Sequence, residues 1–363
     1  MRIILTILAL SCTLFAFAKQ TDIHKMTQPT HPENIHILLE KDVSEALLEV
    51  RGSYTVFNPQ DGQKLTSGIL NKRFLVYARD SGIQWGEHFP GYHQIYITPT
   101  TKETAILVNG KQYTGGIAVF QIGNKISIIN DLSVEDFIKS TLSKSFAYPL
   151  EDEVMSAIAI LARTNAYYQI QRNQKSFWHI QAQEVGYEGT ALVIPNSTIE
   201  HAVDTTRDLI LTQKLEDKNL AFAAEWTEHS AGKTAAYQTI YRVEALSPKV
   251  SVDTPHAALD RLETEWSYKI SRSNLASLLG LEHIDRVETF LDKTSKKTYA
   301  IRVHCGQEHK DFDFVTFQEK LGKDHILSTD FSVRLKNHQF QFVGYGKGTG
   351  VGLCLFKIGR AHV

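Results

Sequence analysis

From Ile35 to Asn130 the apolar positions fall in short runs rich in β-branched and aromatic residues: IHILLE, ALLEVRGSYTVF, KRFLVYA, HQIYITPT and TAILVNGKQYTGGIAVFQIGNKISIIN. Asn58-Pro59, Asp61-Gly62, Asn109-Gly110 and Gly123-Asn124 punctuate them. Runs of this length bounded by such pairs predict strands joined by hairpins. After Pro149 the period changes. Glu151, Asp152 and Glu153 load a first helical turn, and Val154, Ala157, Ile158, Leu161, Ala162 and Asn165 recur at i, i+3, i+4 spacing. That is the pattern of an amphipathic helix with its acids at the positive end of the dipole. Beyond it, expected strands (ALVIP, DLILT, TYAIRVHC, QFQFVGYG) alternate irregularly with helical stretches at residues 256–266 and 273–281. The pattern predicts an α+β class: a β-rich mixed fold with one prominent amphipathic helix and a smaller N-terminal β region, rather than a doubly wound sheet.

The first residues follow a different rule. One early cation, Arg2, precedes an apolar run from Ile3 to Phe17 and the small-x-small end Ala16-Phe17-Ala18, which predicts a signal peptide over residues 1–18. The run of about fifteen apolar residues is short of the ~20 needed to span a bilayer. A lipoprotein anchor through Cys12 is disfavoured, because Ala9 stands where that signal wants leucine. Residues 19–34, polar with two prolines, read as a flexible leader. The expected divisions are then an N-terminal β-rich region, 35–131, and a core, 132–357. The mature protein is expected to be exported, with no membrane span and a location in the periplasm or at the cell surface.

Lys plus Arg total 39 against 40 Asp plus Glu, so bulk charge calls for neither nucleic acid nor an anionic membrane as partner. Cys305 and Cys354 are the cysteines left after Cys12, too few for a disulfide framework in a chain of this size. The 15 histidines are scattered without the paired spacing of a structural zinc site, and no metal or cofactor is expected. Gly232-Lys233-Thr234 imitates the end of a P-loop, but that motif's first glycine would fall on Thr227. Gly346, Gly348 and Gly350 lack the βαβ unit and acid of a dinucleotide site. Nor is there a G-x-S-x-G elbow for a serine nucleophile. The alternation Gly344, Gly346, Gly348, Gly350, Gly352 remains. In an extended strand it places every glycine on one face, either as a bare floor for a flat ligand or as a packing seam.

Five segments, in order, resemble one family. Asn130 to Lys139, NDLSVEDFIK, resembles the N-x-L-x-x-E-D-Y-L-K of stage II sporulation protein D, whose domain is shared with the LytB amidase enhancers. Ala157 to Thr164, AIAILART, is similar to its A-Q-A-V-A-A-R-T helix, and Ser230 to Thr234, SAGKT, to its C/S-G-G-K-T. Leu327 to Phe331, LSTDF, resembles L-x-S-T-x-F, and Gly344 to Val351, GYGKGTGV, resembles G-W-G-H-G-V-G-M. The resemblance covers about Ile35 to Phe356.

It implies a lytic transglycosylase on peptidoglycan glycan strands stripped of stem peptides. One carboxyl group protonates the glycosidic oxygen and then acts as base while a 1,6-anhydro ring closes. Such an acid must stay protonated near neutral pH, which an apolar pocket achieves. In the family it is a glutamate in the segment from Val134 to Tyr168, read as a strand, loop and helix. Counting from either flanking motif, Phe137 or Arg163, places it at Ser145. Glu151, Asp152 and Glu153 are poor substitutes, since a helix N-terminus favours the ionised form. Glu228 is the better one.

Lys347 stands where the family has histidine and Leu353 where it has glutamine, and of the His/Cys zinc cluster of some members only His179 is kept. Arg163, Thr164, Ser230, Lys233, Thr234, Tyr345, Lys347, Gly348 and Gly350 are the expected substrate-binding positions. Three readings follow: a binder of denuded glycan in wall remodelling or division with little or no cleavage; an active lytic transglycosylase with a displaced acid; and an activator that contacts a cell-wall amidase. Finally, Ile358-Gly359-Arg360-Ala361-His362-Val363 is what the sequencing adapter ATCGGAAGAGCACACGTC encodes in frame, so residues 358–363 are expected to be non-native.

Overall fold

The computed structural model describes residues 34–356, apart from 149, 191, 192 and 196. The expected signal peptide, the leader up to residue 33, Pro149, and the terminal hexapeptide lie outside the described residues. In chain order come β1 (Asn34–Val43), β2 (Glu45–Arg51), β3 (Tyr54–Phe57), β4 (Lys64–Gly68), β5 (Lys72–Arg79), β6 (Gly82–Trp85), β7 (Glu87–Pro90), β8 (Gln94–Pro99), β9 (Ala105–Val108), β10 (Lys111–Tyr113), β11 (Gly116–Ile122) and β12 (Lys125–Ser133). They build two sheets, one ordered β1-β12-β11-β8-β3-β4 and the other β10-β9-β2-β5-β6-β7. Strand alternation decides what goes inside: Ala46, Leu48 and Val50 of β2 and Ile95 and Ile97 of β8 are buried in one common core, while their sequence neighbours face outward. The Asn109-Gly110 turn has both φ angles positive, +48° and +83°, and joins β9 to β10 with Val108 opposite Lys111, as a two-residue hairpin requires.

Chain conformation changes abruptly at Ser133. Its Oγ accepts the Asp136 N–H at 3.1 Å and donates to the Asp136 carboxylate at 2.7 Å, a side-chain N-cap that starts α1 (Val134–Ser145). The segment expected to open as a strand is therefore a helix, with Val134, Phe137, Ile138 and Leu142 buried on one side. The long helix, α2 (Asp152–Arg172), runs beyond the predicted stretch and is buried on more than the predicted face, Met155, Ala159 and Tyr167 included. A helix enclosed on most sides belongs to the interior rather than the surface. β13 (Ile180–Gln181) then returns to pair in parallel with β1, followed by α3 (Ala182–Val185) and α4 (Thr198–Thr205).

The remaining elements are β14 (Gln213–Leu215), β15 (Lys218–Leu220), β16 (Trp226–Thr227), α5 (Tyr237–Tyr241), α6 (Pro255–Leu259), β17 (Glu265–Ser271), α7 (Arg272–Leu279), β18 (Arg286–Leu291), β19 (Thr298–Cys305), β20 (Glu308–Asp313), α8 (Phe314–Leu321), β21 (Asp330–Lys336), β22 (Gln339–Tyr345) and β23 (Leu353–Cys354). Two three-stranded antiparallel sheets, β17-β22-β21 and β18-β19-β20, enclose a second core around Phe314, Phe317, Phe340 and Phe342. Apart from β1–β13 and β16–β23, the pairings are antiparallel, and helices and strands are segregated as an α+β fold requires. The first core gathers residues from Ile35 to Ala223 together with Leu355, and the second runs from Ala235 to Val351. The division expected at 131/132 thus falls inside the first core.

Three local expectations fail for physical reasons. The DLILT segment is no strand: the Leu209 carbonyl accepts from Arg163 and the Leu211 N–H donates to Thr164 Oγ1 at 2.9 Å, so its backbone groups are satisfied by side chains of α2 instead of a ladder. The helix expected over 256–266 stops at Leu259, and after a single 3₁₀ turn Trp266 lies in β17. Of ALVIP, Ala191 and Leu192 lie outside the described residues and the rest forms no strand.

Candidate functional site

Ser145 ends α1, exposed, its Oγ bonded back to the Thr141 carbonyl at 2.9 Å. With Phe146, Tyr148 and Glu151 from the α1–α2 connection, Val154 from the first turn of α2, Glu228, and Leu355 and Phe356, it lines a cleft of about 570 Å³. Two residues singled out from sequence, Ser145 and Glu228, therefore share one surface although 83 positions separate them. Tyr148 is 89% exposed, a phenol ring presented to solvent at this cleft.

Glu228 is exposed and ion-paired to Lys347, Nζ to Oε2 2.7 Å. The pair is held from behind by backbone: Lys347 and His229 exchange N–H···O bonds of 2.9 Å in both directions, and Thr227 Oγ1 donates to the Lys347 carbonyl at 3.0 Å. His229 is buried, its Nδ1 accepting the Ala231 N–H at 3.1 Å, which leaves the proton on Nε2. Burial holds its imidazole below the usual range, and the Lys297 charge adds to this. Its ring packs on Phe356 at 4.6 Å.

The alternating glycines do not form an extended strand beyond Tyr345. Gly346, Gly348, Gly350 and Gly352 have φ of +77°, +99°, +75° and +79°, a conformation that side chains resist. A Cβ on Gly346 would meet the His229 carbonyl at 2.4 Å, and one on Gly352 the Glu225 carbonyl at 1.9 Å. Gly344 lies under the Trp266 ring. Of the two readings of this alternation, the structure shows the packing seam: the glycines admit the chain's own 225–231 segment, placing Gly348 and Gly350 in the framework beneath Lys347.

The other expected binding positions separate. Arg163 is wholly buried: Nε and Nη2 each reach Glu135 at 2.8 Å, Nη2 also donates to the Val203 carbonyl, and Nη1 donates to Leu209 and Thr206. With its donors spent inside the protein it joins α1, α2 and α4. Thr164, also buried, bonds Ile160 and Leu211. Ser230 meets Thr254 at 2.6 Å, and Thr234 binds both backbone groups of Val252. Lys233 pairs with Asp253 at 3.2 Å. Tyr345 donates to Glu265 and lies under Arg261, 3.8 Å from ring centre to guanidinium. Ser145 and Glu228 are thus the members of the predicted set that line the cleft, with Lys347 joined to it through its ion pair with Glu228.

The model of the stage II sporulation protein family, SpoIID, matches residues 122–213. An uncharacterised protein of Chlamydia pneumoniae is 32% identical over 205 residues, 56% of this chain and 75% of that protein. The chain belongs to the SpoIID family. A protein of Chlamydia muridarum is 34% identical over 194 residues, 53% of this chain and 66% of its own length, and one of Brachyspira hyodysenteriae is 22% identical over 348 residues, 94% and 88%. SpoIID membership carries a cell-wall-related function, in a family that is extracellular or membrane-associated. Among the described residues no helix is long and apolar enough to cross a membrane.

The SpoIID-matched stretch contains both Glu135 and Arg163, so the family's E-D and A-R-T signatures meet here as one buried ion pair. His179 has a structural task as well. Its Nδ1 accepts the His36 N–H at 3.0 Å, its own N–H donates to the His36 carbonyl at 2.9 Å, and the two rings stack at 4.7 Å. Sequence reading missed Lys297, a buried ammonium that holds the Ser230 carbonyl at 2.6 Å and Asp330 at 3.0 Å beneath the SAGKT loop. Nothing in the run DKTSKKTY marks it out from its neighbours. It also missed Glu225, and there a signal exists: a lone acid within Leu220 to Trp226, LAFAAEW.

Proposed function

We propose that this SpoIID protein is exported to the periplasm or cell surface and there binds denuded peptidoglycan glycan strands in the Ser145 cleft without cleaving them. The observation that carries this reading is the side chain at the cleft edge: a hydroxyl bonded to its own helix, at the position from which the family's acid would protonate a glycosidic oxygen. The other carboxylates lining the cleft are exposed. Glu151 is the N-cap residue of α2, and Glu228 is held by Lys347. Neither sits in the apolar surroundings that keep a general acid protonated. What the cleft offers is suited to holding sugars. Phe146, Tyr148 and Phe356 line it with aromatic rings, the side chains on which the apolar faces of pyranoses stack, and the Glu228–Lys347 pair beside it supplies an acceptor and a donor for hydroxyl groups.

Purified protein incubated with amidase-treated sacculi tests the reading. The expected outcome is retention on denuded sacculi with no 1,6-anhydromuramic products by mass spectrometry, and the appearance of those products with Ser145→Glu. Anhydro products from the unaltered protein would overturn it in favour of cleavage with Glu228 as the displaced acid, the carboxylate of this cleft that is paired with a cation. Stimulation of an amidase without retention on glycan would overturn it in favour of the activator.

A further inference from the structure

A second cavity, of about 320 Å³, shares no lining residue with the Ser145 cleft. Its wall is almost entirely apolar. Leu161 and Val351 line it beside Tyr237, and Leu211, Val250 and Val252 carry it to the surface, 44%, 72% and 52% exposed. One acid belongs to this wall, Glu225. Its backbone is fixed, the carbonyl accepting from Leu353 at 2.9 Å where β16 and β23 run side by side. Its carboxyl group makes no hydrogen bond or ion pair among the described residues. Loss of water alone pushes it up to about 7. A carboxyl in apolar surroundings without a partner is costly, and nothing in the packing of the two cores calls for an acid at this point.

The other titratable groups facing Glu225 are the phenols of Tyr237 and Tyr241, whose ionisation burial suppresses first and its charge further, and the Cys354 thiol on the cavity wall. Among the described residues no basic side chain lines the cavity, and the cation acting on its Tyr237 wall is Arg172. The Tyr237 and Tyr241 rings lie 4.5 Å apart, centroid to centroid. An apolar enclosure, an aromatic face and one unpaired carboxyl together complement a cation with an apolar body.

We propose that this cavity binds an organic cation, a primary ammonium on an apolar body, with Glu225 as its counter-ion and Tyr237 as its aromatic wall. The site is independent of the glycan reading. Occupation requires the ionised carboxylate, so binding near pH 6 releases a proton and the affinity rises with pH.

Hexylammonium and its neutral counterpart 1-hexanol, titrated calorimetrically into the full chain in buffers of different ionisation heat, test this. Expected are saturable binding of hexylammonium that tightens about tenfold from pH 6 to pH 8, release of about one proton at pH 6, and at least about tenfold weaker binding to Glu225→Gln. Equal affinity for 1-hexanol would reduce the cavity to an apolar site and overturn the proposal. So would pH-independent binding, unaltered binding to Glu225→Gln, or no saturation at all. Should Glu225→Gln fail to fold, proton release and pH dependence in the unaltered chain decide the matter alone.

Discussion

Arg163 grips Glu135 with two parallel N–H donors, each at 2.8 Å, at a point where the arginine side chain has no exposure and the glutamate 9%. The two residues come from different family signatures, and their meeting sets the angle between α1, which ends at Ser145, and α2, which supplies the opposite wall of the cleft. Breaking a buried pair from one side strands the other charge, at a cost of about 3–5 kcal/mol. Arg163→Met is therefore expected to lower the denaturation midpoint sharply, and Arg163→Met with Glu135→Leu to recover most of the loss. A destabilisation of the single variant no larger than that of a surface change would refute the framework role.

The Glu228–Lys347 pair should behave in the opposite way. Both side chains are more than half exposed, and exposed pairs contribute about 0–1 kcal/mol. Glu228→Gln and Lys347→Met are expected to melt with the unaltered protein yet to lose retention on denuded sacculi. Unchanged retention in both variants would remove the pair from the binding surface.

His179 gives a pH signature. Burial first, then the His36 ring, lowers its pKa from 6.5 to about 4. The unfolded chain therefore takes up this proton before the folded one as pH falls, and the stabilisation present above pH 6.5 is lost between there and about 4. At about 1.4 kcal/mol per pKa unit, discounted for screening at a partly accessible ring, the loss is about 2 kcal/mol. Urea denaturation at pH 7.5 and 4.5 should show it in the unaltered chain and not in His179→Gln, which removes the titration while keeping a polar partner for the His36 amide.

The glycine seam predicts unequal costs for equal substitutions. Gly123 and Gly346 both have positive φ, but a Cβ at Gly123 meets nothing within 4 Å while one at Gly346 meets a carbonyl at 2.4 Å. Gly123→Ala should cost about 1–2 kcal/mol of backbone strain. Gly346→Ala adds the collision, displaces Lys347 from His229, and should weaken both stability and glycan retention. Thermal melts of the two variants side by side provide the comparison.

Sequence periodicity exposed the hairpins because strand alternation and Asn-Gly turns are local. IHILLE, TYAIRVHC and the Asn109-Gly110 turn appear where expected. It failed where distant side chains decide: DLILT has the apolar run of a strand, but the Leu209 carbonyl answers to Arg163 and the Leu211 N–H to Thr164. The glycine alternation was visible as a pattern, while its meaning depended on segment 225–231 pressing against it. At the site, motif counting reached Ser145, and Glu228 was singled out as a loop acid beside His229. Their shared cleft depended on a fold that brings residue 228 back to residue 145. Lys297 was invisible, since one buried lysine among three looks like its neighbours.

The short parallel pairing of β16 with β23 has a bearing on when the protein becomes competent. Thr227 and Lys347, joined by a hydrogen bond, lie 120 positions apart, and the cleft wall includes Leu355 and Phe356. Contacts of such long range form late, after the loop between them has been organised. During synthesis most of the first core is available early, but Leu355 completes it and the Ser145 cleft lacks part of its wall until the last strand docks. A nascent or truncated chain therefore lacks both a member of the first core and part of the wall of the cleft.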